Sequence, residues 1–436
     1  MYPNKVLNDL SLRYPHQPEF IQAVSEVFGC ISQLLTLEPK YEQYKILERI
    51  SEPEKIIKFR IVWERDDGTI EINRGIRVQF SSALGPYKGG LRFEKGVNLS
   101  TLKFLGFEQA FKNSLTGLML GGAKGGSDFD PKGKSDREIM RFCQAFIRTL
   151  APHIGAHIDI PAGDIGVGER EIGYMFGEYK KITGLFDGAL TGKSPIFGGS
   201  YGRREATGYG AVYFAQAMLS YNGLGLEGKT CIVSGSGNVA IYAMQKLVEL
   251  GAKIIACSDR GGVLIDEDGI DVEKVKQIKE IDRASLSQYG KGLYKNTKIT
   301  DTPCDYAFFC ATQNEVDTDG ARAMINNGVK AVIEGANMPL TNEAADMLIG
   351  AGMLYAPSKA ANAGGVAVSG LEMGQDALFL QSSHAEIDAK LKSIMQNIFN
   401  ECKLAATEFA EPNNFKIGAN IASFRRVADA MIKQGI

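Results

Sequence analysis

The chain has 436 residues with 49 Lys and Arg against 51 Asp and Glu, so its formal net charge is −2, with 44 % hydrophobic and 23 % charged residues. That is ordinary globular composition, too long for one small core, and it predicts two or three domains. The balanced charge and the absence of any long Lys/Arg run exclude nucleic acid or an anionic membrane surface as the principal partner.

The first twenty residues, MYPNKVLNDLSLRYPHQPEF, lack the basic head and apolar block of a secretory signal, and no apolar run approaches the ~20 residues that would span a bilayer. Seven dispersed cysteines form no CxxC pair and four histidines show no ligand spacing. A reducing, cytoplasmic setting with free thiols and no metal is therefore expected. Phe20, Val24, Val27 and Ile31 have helical spacing within residues 15–50. The runs IIKFRIVWER and TIEINRGIRVQF flank Asp66-Asp67-Gly68, a hairpin signal. Residues 85–126 are dense in glycine, and helix-like and strand-like segments alternate from there to about 190. The glycine-rich stretch Phe197–Gly202 marks a change of character. Beyond it the strand-like runs KTCIVS, KIIACSD, YAFFCA, KAVIEGA and MLYAP alternate with helical segments, the rhythm of a parallel α/β sheet. The last ~60 residues read as helical.

Gly235-Ser236-Gly237-Asn238-Val239-Ala240 stands between the strand ending at Ser234 and the helical run IYAMQKLVELGA. It is the G-x-G-x-x-A form of the dinucleotide fingerprint, in which the first glycine makes the tight turn, the second admits a pyrophosphate and the small third residue lets helix and strand pack closely. The following strand ends at Asp259-Arg260. An acid there holds a ribose hydroxyl and favours NAD, whereas an adjacent Arg holds a 2′-phosphate and favours NADP. The two signals conflict, and a solvated turn that reads neither is the third option.

Upstream, Lys88, Lys112 and Lys124 sit among small or apolar residues, in GPYKGGLR, QAFKN and GGAKGGSD. Each alone reads as a solvated loop charge; three together suggest cations gathered for an anionic ligand. Lys124 is not a Walker A lysine, because Ala123 precedes it and the glycine four residues earlier is missing. A lysine packed among glycines loses hydration, drops in pKa and can serve as an acid–base group. Asp164, in Pro161-Ala162-Gly163-Asp164-Ile165-Gly166, is either a turn former or a buried carboxylate paired with a lysine to relay protons.

Taken together these blocks resemble the hexameric glutamate dehydrogenase family, particularly its small bacterial-type members. The match runs over nearly the whole chain, in the family's order, through PYKGGLRF, NLSTLKFLGFEQAFKNSLTG, GGAKGGSDFDPKGKS, PAGDIGVG, EATGYGAVYF, SGSGNVA, CATQNE, EGANMP and KAANAGGVAVSGLEM. The resemblance implies that Lys88 and Ser369 hold a substrate side-chain carboxylate, and that Gln109 and Lys112 hold the α-carboxylate. It makes Lys124 the catalytic lysine and Asp164 the proton carrier at nitrogen. The Gly163 carbonyl and the Asn362 side chain place the substrate, while Ala162, Thr191 and Val366 shape its pocket. Arg203, Thr207, Asn238, Cys310-Ala311-Thr312 and Asn337 lie in cofactor-contacting blocks.

The implied reaction interconverts L-glutamate with 2-oxoglutarate and ammonium: hydride passes from the α-carbon to the nicotinamide, water activated by Lys124 adds to the resulting imine, and ammonia leaves with proton transfer through Asp164. The implied fold is α/β with two domains. An N-terminal α/β substrate and oligomerisation domain covers 1–196, a Rossmann-like dinucleotide-binding domain covers 197–410, and a C-terminal helix over 411–436 returns to the first. A cytoplasmic homohexamer is the implied assembly. Glu169-Arg170 stands where many members carry glycine. Arg260 replaces the serine of NADP-linked relatives, whereas Ser236 matches them and NAD-linked ones often carry Phe there. The balance favours NADP, with NAD the alternative. A relative acting on Leu, Val or Phe is expected to lack Lys88 and Ser369, and a silent binding protein on the same scaffold is expected to have lost Lys124 or Asp164.

Overall fold

A computed structural model describes residues 2–409 and 411–435. The chain divides into two compact units, one of Met1–Tyr201, Val368–Ile387 and Asn420–Ile436, the other of Gly202–Ala367 and Asp388–Ala419. Among the described residues no helix is long and apolar enough to cross a membrane.

The first unit is built on five strands: β1 (Lys55–Glu64), β2 (Ile70–Ser81), β3 (Tyr87–Phe93), β4 (Gly122–Ser127) and β5 (Asp159–Gly163), in the order β1-β2-β4-β3-β5. β1 and β2 form the hairpin expected at Asp66-Asp67-Gly68, in register from Lys55↔Gln79 to Glu64↔Ile70. β2 runs antiparallel to β4, and β3 lies parallel to both β4 and β5. One face is covered by the helix Asp136–Leu150. It opens with a capping box, in which the Glu138 amide donates to Ser135 Oγ at 3.1 Å and the Ser135 amide to Glu138 Oε2 at 3.2 Å. Its buried stripe, Ile139, Phe142, Cys143, Phe146, Ile147 and Leu150, follows the helical repeat. Phe142 stacks on Phe129 with centroids 3.7 Å apart, and Phe93 meets Phe142 and Phe146 edge-on. Each such ring contributes roughly 1.5–3 kcal/mol by leaving water. A second helix, Leu99–Leu115, is capped where Asn98 Oδ1 accepts from the Thr101 amide at 3.0 Å, and it buries Phe107 against Phe20 and Phe80.

The second unit holds β6 (Thr230–Ser234), β7 (Lys253–Asp259), β8 (Gly262–Ile265), β9 (Leu293–Lys295), β10 (Tyr306–Phe309), β11 (Ala331–Glu334) and β12 (Leu354–Ala356), in the order β12-β11-β10-β6-β7-β8-β9. The five strands expected from sequence are the parallel ones. β8 and β9 extend the sheet antiparallel beyond β7. Strand order reverses between β6 and β10, so the carboxyl ends of those two strands form a topological switch point, where open α/β sheets bind ligands.

The units differ from the expected division in three respects, the first being that the second unit begins at Gly202 rather than at 197. A continuous second domain over 197–410 is interrupted, because Val368–Ile387 belongs with the first unit, as does the chain from Asn420 onward rather than from 411. The expected boundary at 410 itself lies outside the described residues. Buried ion pairs from Lys193 to Glu372 and Asp376 fasten the inserted stretch to the first unit.

Candidate functional site

In the first unit, backbone packing brings the lysine tract together. A Cβ on Gly89 would stand 1.6 Å from the Ala123 carbonyl oxygen, and one on Gly122 would stand 2.6 Å from Ala110. Glycine at both positions lets β3, β4 and the helix Leu99–Leu115 approach more closely than any side chain allows. Lys88 lies on β3 opposite Ile160 and is 1 % exposed. Its Nζ donates to the Ile160 carbonyl at 3.0 Å and to Thr191 Oγ1 at 2.6 Å. Asn113 binds the Lys88 carbonyl through Nδ2 at 3.1 Å and accepts from Gln109 Nε2 at 2.6 Å. Gln109 is thereby fixed beside β3, with Lys112 one turn further along the same helix face.

Lys124 on β4 is 5 % exposed and pairs with Asp164 Oδ2 at 3.2 Å; Arg92 Nε donates to the same oxygen at 2.8 Å. Burial pushes the Asp164 carboxyl up, but the charges and hydrogen bonds of Lys124 and Arg92 outweigh it, and the net result lies at about 2. Lys124 is shifted down, chiefly by burial, with Arg92 adding to the depression and Asp164 opposing it. The pair therefore consists of a carboxylate held anionic and an ammonium made more acidic than usual. Of the two options for Asp164, turn former or partner of a buried lysine, both are observed: its carbonyl accepts from the Val167 amide at 2.9 Å across a turn, and its carboxylate pairs with Lys124.

Arg92 carried no assignment from sequence, and neither did Arg77. Arg77 is fully buried, its Nε donating to Asp159 Oδ2 at 2.9 Å and its Nη1 to the Gly89 carbonyl at 3.0 Å, while Gln79 Nε2 reaches Asp159 Oδ2 at 2.9 Å. This bracket fixes β2, β3 and β5 immediately around Lys88 and Ile160. An arginine in a strand whose partner lies 82 positions away leaves no local signal.

Ala162, Gly163, Thr191 and Ser369 belong to the first unit with the lysines, whereas Asn362 and Val366 fall in the second. Asn362 is 3 % exposed; its Nδ2 donates to the Ala336 carbonyl at 3.0 Å and to Asn337 Oδ1 at 2.9 Å, which leaves its buried Oδ1 without a donor. An unsatisfied buried acceptor is costly, and this one suits a ligand N–H.

The fingerprint residues form the expected turn. Gly235 has φ 85°, the left-handed region, and its amide donates to Ser258 Oγ at 2.8 Å. A Cβ there would touch the Ala311 backbone at 3.1 Å, which sets the two switch-point loops side by side. Ser236 is buried, Val239 half-buried and Ala240 fully buried. Gly237 begins the helix Asn238–Glu249, whose first turn no side chain caps, and a Cβ on Gly237 would project into open space. A helix N-terminus with amides presented and no side chain in front is a cradle for phosphate, so the residues present fit a dinucleotide. Asn238 Nδ2 binds the Arg204 carbonyl at 2.6 Å, and Arg203 and Thr207 both lie against Gly365. Thr312 and Asn337 are exposed on their loops. Glu315, which sequence did not single out, braces the switch point: Oε1 accepts from Ser234 Oγ at 2.8 Å and from the Ala311 amide at 3.2 Å.

Asp259 is occupied within its own unit. Its carboxylate accepts from Leu286 N and Tyr294 OH at 2.8 Å, Gly261 N at 3.0 Å and Lys279 Nζ at 3.2 Å. Burial raises its pKa, the four donors outweigh it, and the result lies at about 2. Arg260 beside it is exposed.

Against known proteins, the family profile described as Glutamate/Leucine/Phenylalanine/Valine dehydrogenase matches residues 198–435, and the Glu/Leu/Phe/Val dehydrogenase dimerisation domain matches 53–181. The chain is 54 % identical to a protein of Helicobacter pylori named NADP-specific glutamate dehydrogenase, over the full length of both. It is 52 % identical to the protein of that name from Escherichia coli, over 99 % of this chain and 98 % of the other. The crystal structure of Plasmodium falciparum glutamate dehydrogenase superposes with a TM-score of 0.97 at 49 % identity, covering 100 % of this chain and 94 % of that one.

Proposed function

Because this chain belongs to the Glu/Leu/Phe/Val dehydrogenase family, we propose that it is an NADP-dependent glutamate dehydrogenase, interconverting L-glutamate with 2-oxoglutarate and ammonium. The observation that carries this choice among the family's amino acids is the buried Lys88 ammonium, set in the same sheet as the Lys124–Asp164 pair. A buried cation is costly in a pocket for a Leu, Val or Phe side chain and favourable opposite a carboxylate.

Lys88 and Ser369 receive the side-chain carboxylate, and Gln109 and Lys112 the α-carboxylate. Ala162 and Thr191 line the pocket around Lys88, and the Gly163 carbonyl accepts from the substrate amine. Bound NADP supplies the hydride acceptor for the α-carbon. Lys124, whose ammonium is made acidic by burial, acts as the neutral amine: it takes a proton from the water that adds to the iminium carbon, passes it through Asp164 to the nitrogen, and then takes the hydroxyl proton as the carbinolamine collapses to the 2-oxo acid and ammonia. Asp164 is anionic at neutral pH and carries the proton only in transit to the departing nitrogen.

Gly235, Ser236, Gly237, Asn238 and Val239 take the pyrophosphate, with Arg203, Thr207, Ala311, Thr312 and Asn337 around the rest of the cofactor. NADP is favoured over NAD by the names of the relatives and by the state of Asp259. Its charge is offset by Lys279, so no bare acid faces a 2′-phosphate, and Arg260 is available beside it. A cytoplasmic homohexamer is the proposed assembly. β1 is the open edge of its sheet, and Val62, Ile70 and Ile72 on the hairpin are 48–63 % exposed, a surface that a second copy would cover.

The test is an initial-rate assay of NADPH and NADH oxidation with ammonium and 2-oxoglutarate, repeated with branched 2-oxo acids. NADPH with 2-oxoglutarate is expected to be fastest. Turnover confined to the branched acids would reject the substrate, and a higher rate with NADH would reject the cofactor.

A further inference from the structure

Lys193 lies two residues beyond Thr191 and its side chain is fully buried. Its Nζ donates to the Leu190 carbonyl at 2.7 Å, to Glu372 Oε1 at 2.9 Å and to Asp376 Oδ2 at 2.8 Å. Glu372, also with no side-chain exposure, accepts in addition the backbone amides of Gly192 at 2.9 Å and Lys193 at 3.3 Å. Residues 190–193 are thus fastened by three donors, the Gly192 and Lys193 amides and Lys193 Nζ, to one helix, Gly364–Leu378.

The face of that helix matters. Ser369, Glu372 and Asp376 are spaced i, i+3, i+7 and share one side. At the other end of the segment, the Thr191 amide donates to the Pro161 carbonyl at 3.0 Å, and the Thr191 hydroxyl accepts from Lys88 Nζ at 2.6 Å. A mechanical route therefore runs from Lys88 by a hydrogen bond to Thr191, along the backbone to Lys193, and by hydrogen bonds to Glu372, one helical turn from Ser369. Lys88 and Ser369 are the two groups assigned to the side-chain carboxylate.

We propose that Lys193, held by Glu372 and Asp376, is a positioning residue that sets the separation of Lys88 and Ser369 and thereby the fit of a five-carbon dicarboxylate. This rests on the glutamate reading above. The energetics favour a geometric role over one in stability. A lysine and two carboxylates withdrawn from water cost several kcal/mol per ion before pairing, and an apolar trio of similar volume would hold the fold about as well. An apolar trio has no directionality, whereas an ammonium with three acceptors admits one arrangement of loop and helix.

The test uses the full-length enzyme with Lys193→Met and Glu372→Gln, measuring KM for 2-oxoglutarate, ammonium and NADPH together with kcat. For Lys193→Met the KM for 2-oxoglutarate is expected to rise about tenfold, with kcat within about threefold and the other two KM values within about twofold, the pattern of lost substrate binding. Glu372→Gln, which keeps the shape and one acceptor but not the charge, is expected to give the same selective pattern at about threefold; it carries the test alone if Lys193→Met does not fold. Equal movement of all three KM values and kcat, as general loosening would give, overturns the clamp, and so does an unchanged KM for 2-oxoglutarate. A wild-type enzyme inactive with 2-oxoglutarate would instead sink the functional reading, a separate outcome from an active enzyme whose variants lose nothing selectively.

Discussion

The two units make their sites from different materials. In the first, the groups gathered between β3, β4 and β5 are charged side chains taken out of water: Lys88 at 1 % exposure, Lys124 at 5 %, and Asp164 bonded to both Lys124 and Arg92. In the second, the corresponding place at β6 and β10 is built from backbone, a left-handed glycine and an uncapped helix start, and the acid that sequence pointed to is already consumed by four donors. Charged chemistry is thus concentrated on the substrate side, and shape on the nucleotide side. The two should break in different ways.

The largest effect is expected at Lys124. Replacing it with Ala removes the acid–base group and should lower kcat by about 10³-fold, while Asp164 keeps Arg92 as its partner and the melting temperature moves little. A kcat within tenfold of wild type would remove Lys124 from the chemistry. On the nucleotide side, Gly237→Ala places a methyl where the phosphates would approach. It should raise the KM for NADPH about tenfold and leave that for 2-oxoglutarate within about twofold. Coupled losses in both would show that the cradle is not an independent element.

Much of this contrast was legible in the sequence. A fingerprint is a local pattern, so GSGNVA announced its strand, turn and helix, and the hairpin at Asp66-Asp67-Gly68 and the five parallel strands followed from period and punctuation. Lys88 and Lys124 declared themselves by their glycine neighbours, for a reason the geometry supplies: Gly89 and Gly122 have no room for a Cβ. What stayed hidden depends on partners far apart along the chain. Arg77 meets Asp159 across 82 positions and Lys193 meets Glu372 across 179; no periodicity encodes either. The return of Val368–Ile387 to the first unit was hidden for the same reason.

Asp259 is a more instructive case. Its position at the end of the second Rossmann strand marks it as a ribose ligand, but Lys279, Leu286 and Tyr294 arrive from a segment whose fold the motif does not describe. Asp259→Asn tests the occupied carboxylate. An amide accepts fewer of the four donors and carries no charge, so about 1–3 kcal/mol of stability should be lost. The ratio of NADPH to NADH activity should shift by less than about threefold. A larger swing in that ratio, with stability intact, would restore Asp259 to cofactor reading.

The smallest effect on turnover is expected at Asp376, and it sharpens the contrast on the substrate side. Two carboxylates share the one Lys193 ammonium, so one of them is poorly compensated. Burial pushes Asp376 up; Lys193 opposes this, Glu372 and Asp187 reinforce it, and its pKa stands at about 6. A carboxyl raised above its unfolded value binds more protons folded than unfolded, so its contribution to stability is present at low pH and is lost as pH climbs from about 4 through about 6. Asp376→Asn, which mimics the neutral acid, should remove that slope. Denaturant melts of wild type and variant at steps between pH 4 and 8 should therefore give a difference that grows in the variant's favour by roughly 1–2 kcal/mol. The kcat at neutral pH should stay within about threefold, since Glu372 keeps Lys193 in place. A difference that is flat with pH, or that grows in favour of wild type, would mean that Lys193 compensates both carboxylates fully and that the buried cluster carries no surplus negative charge.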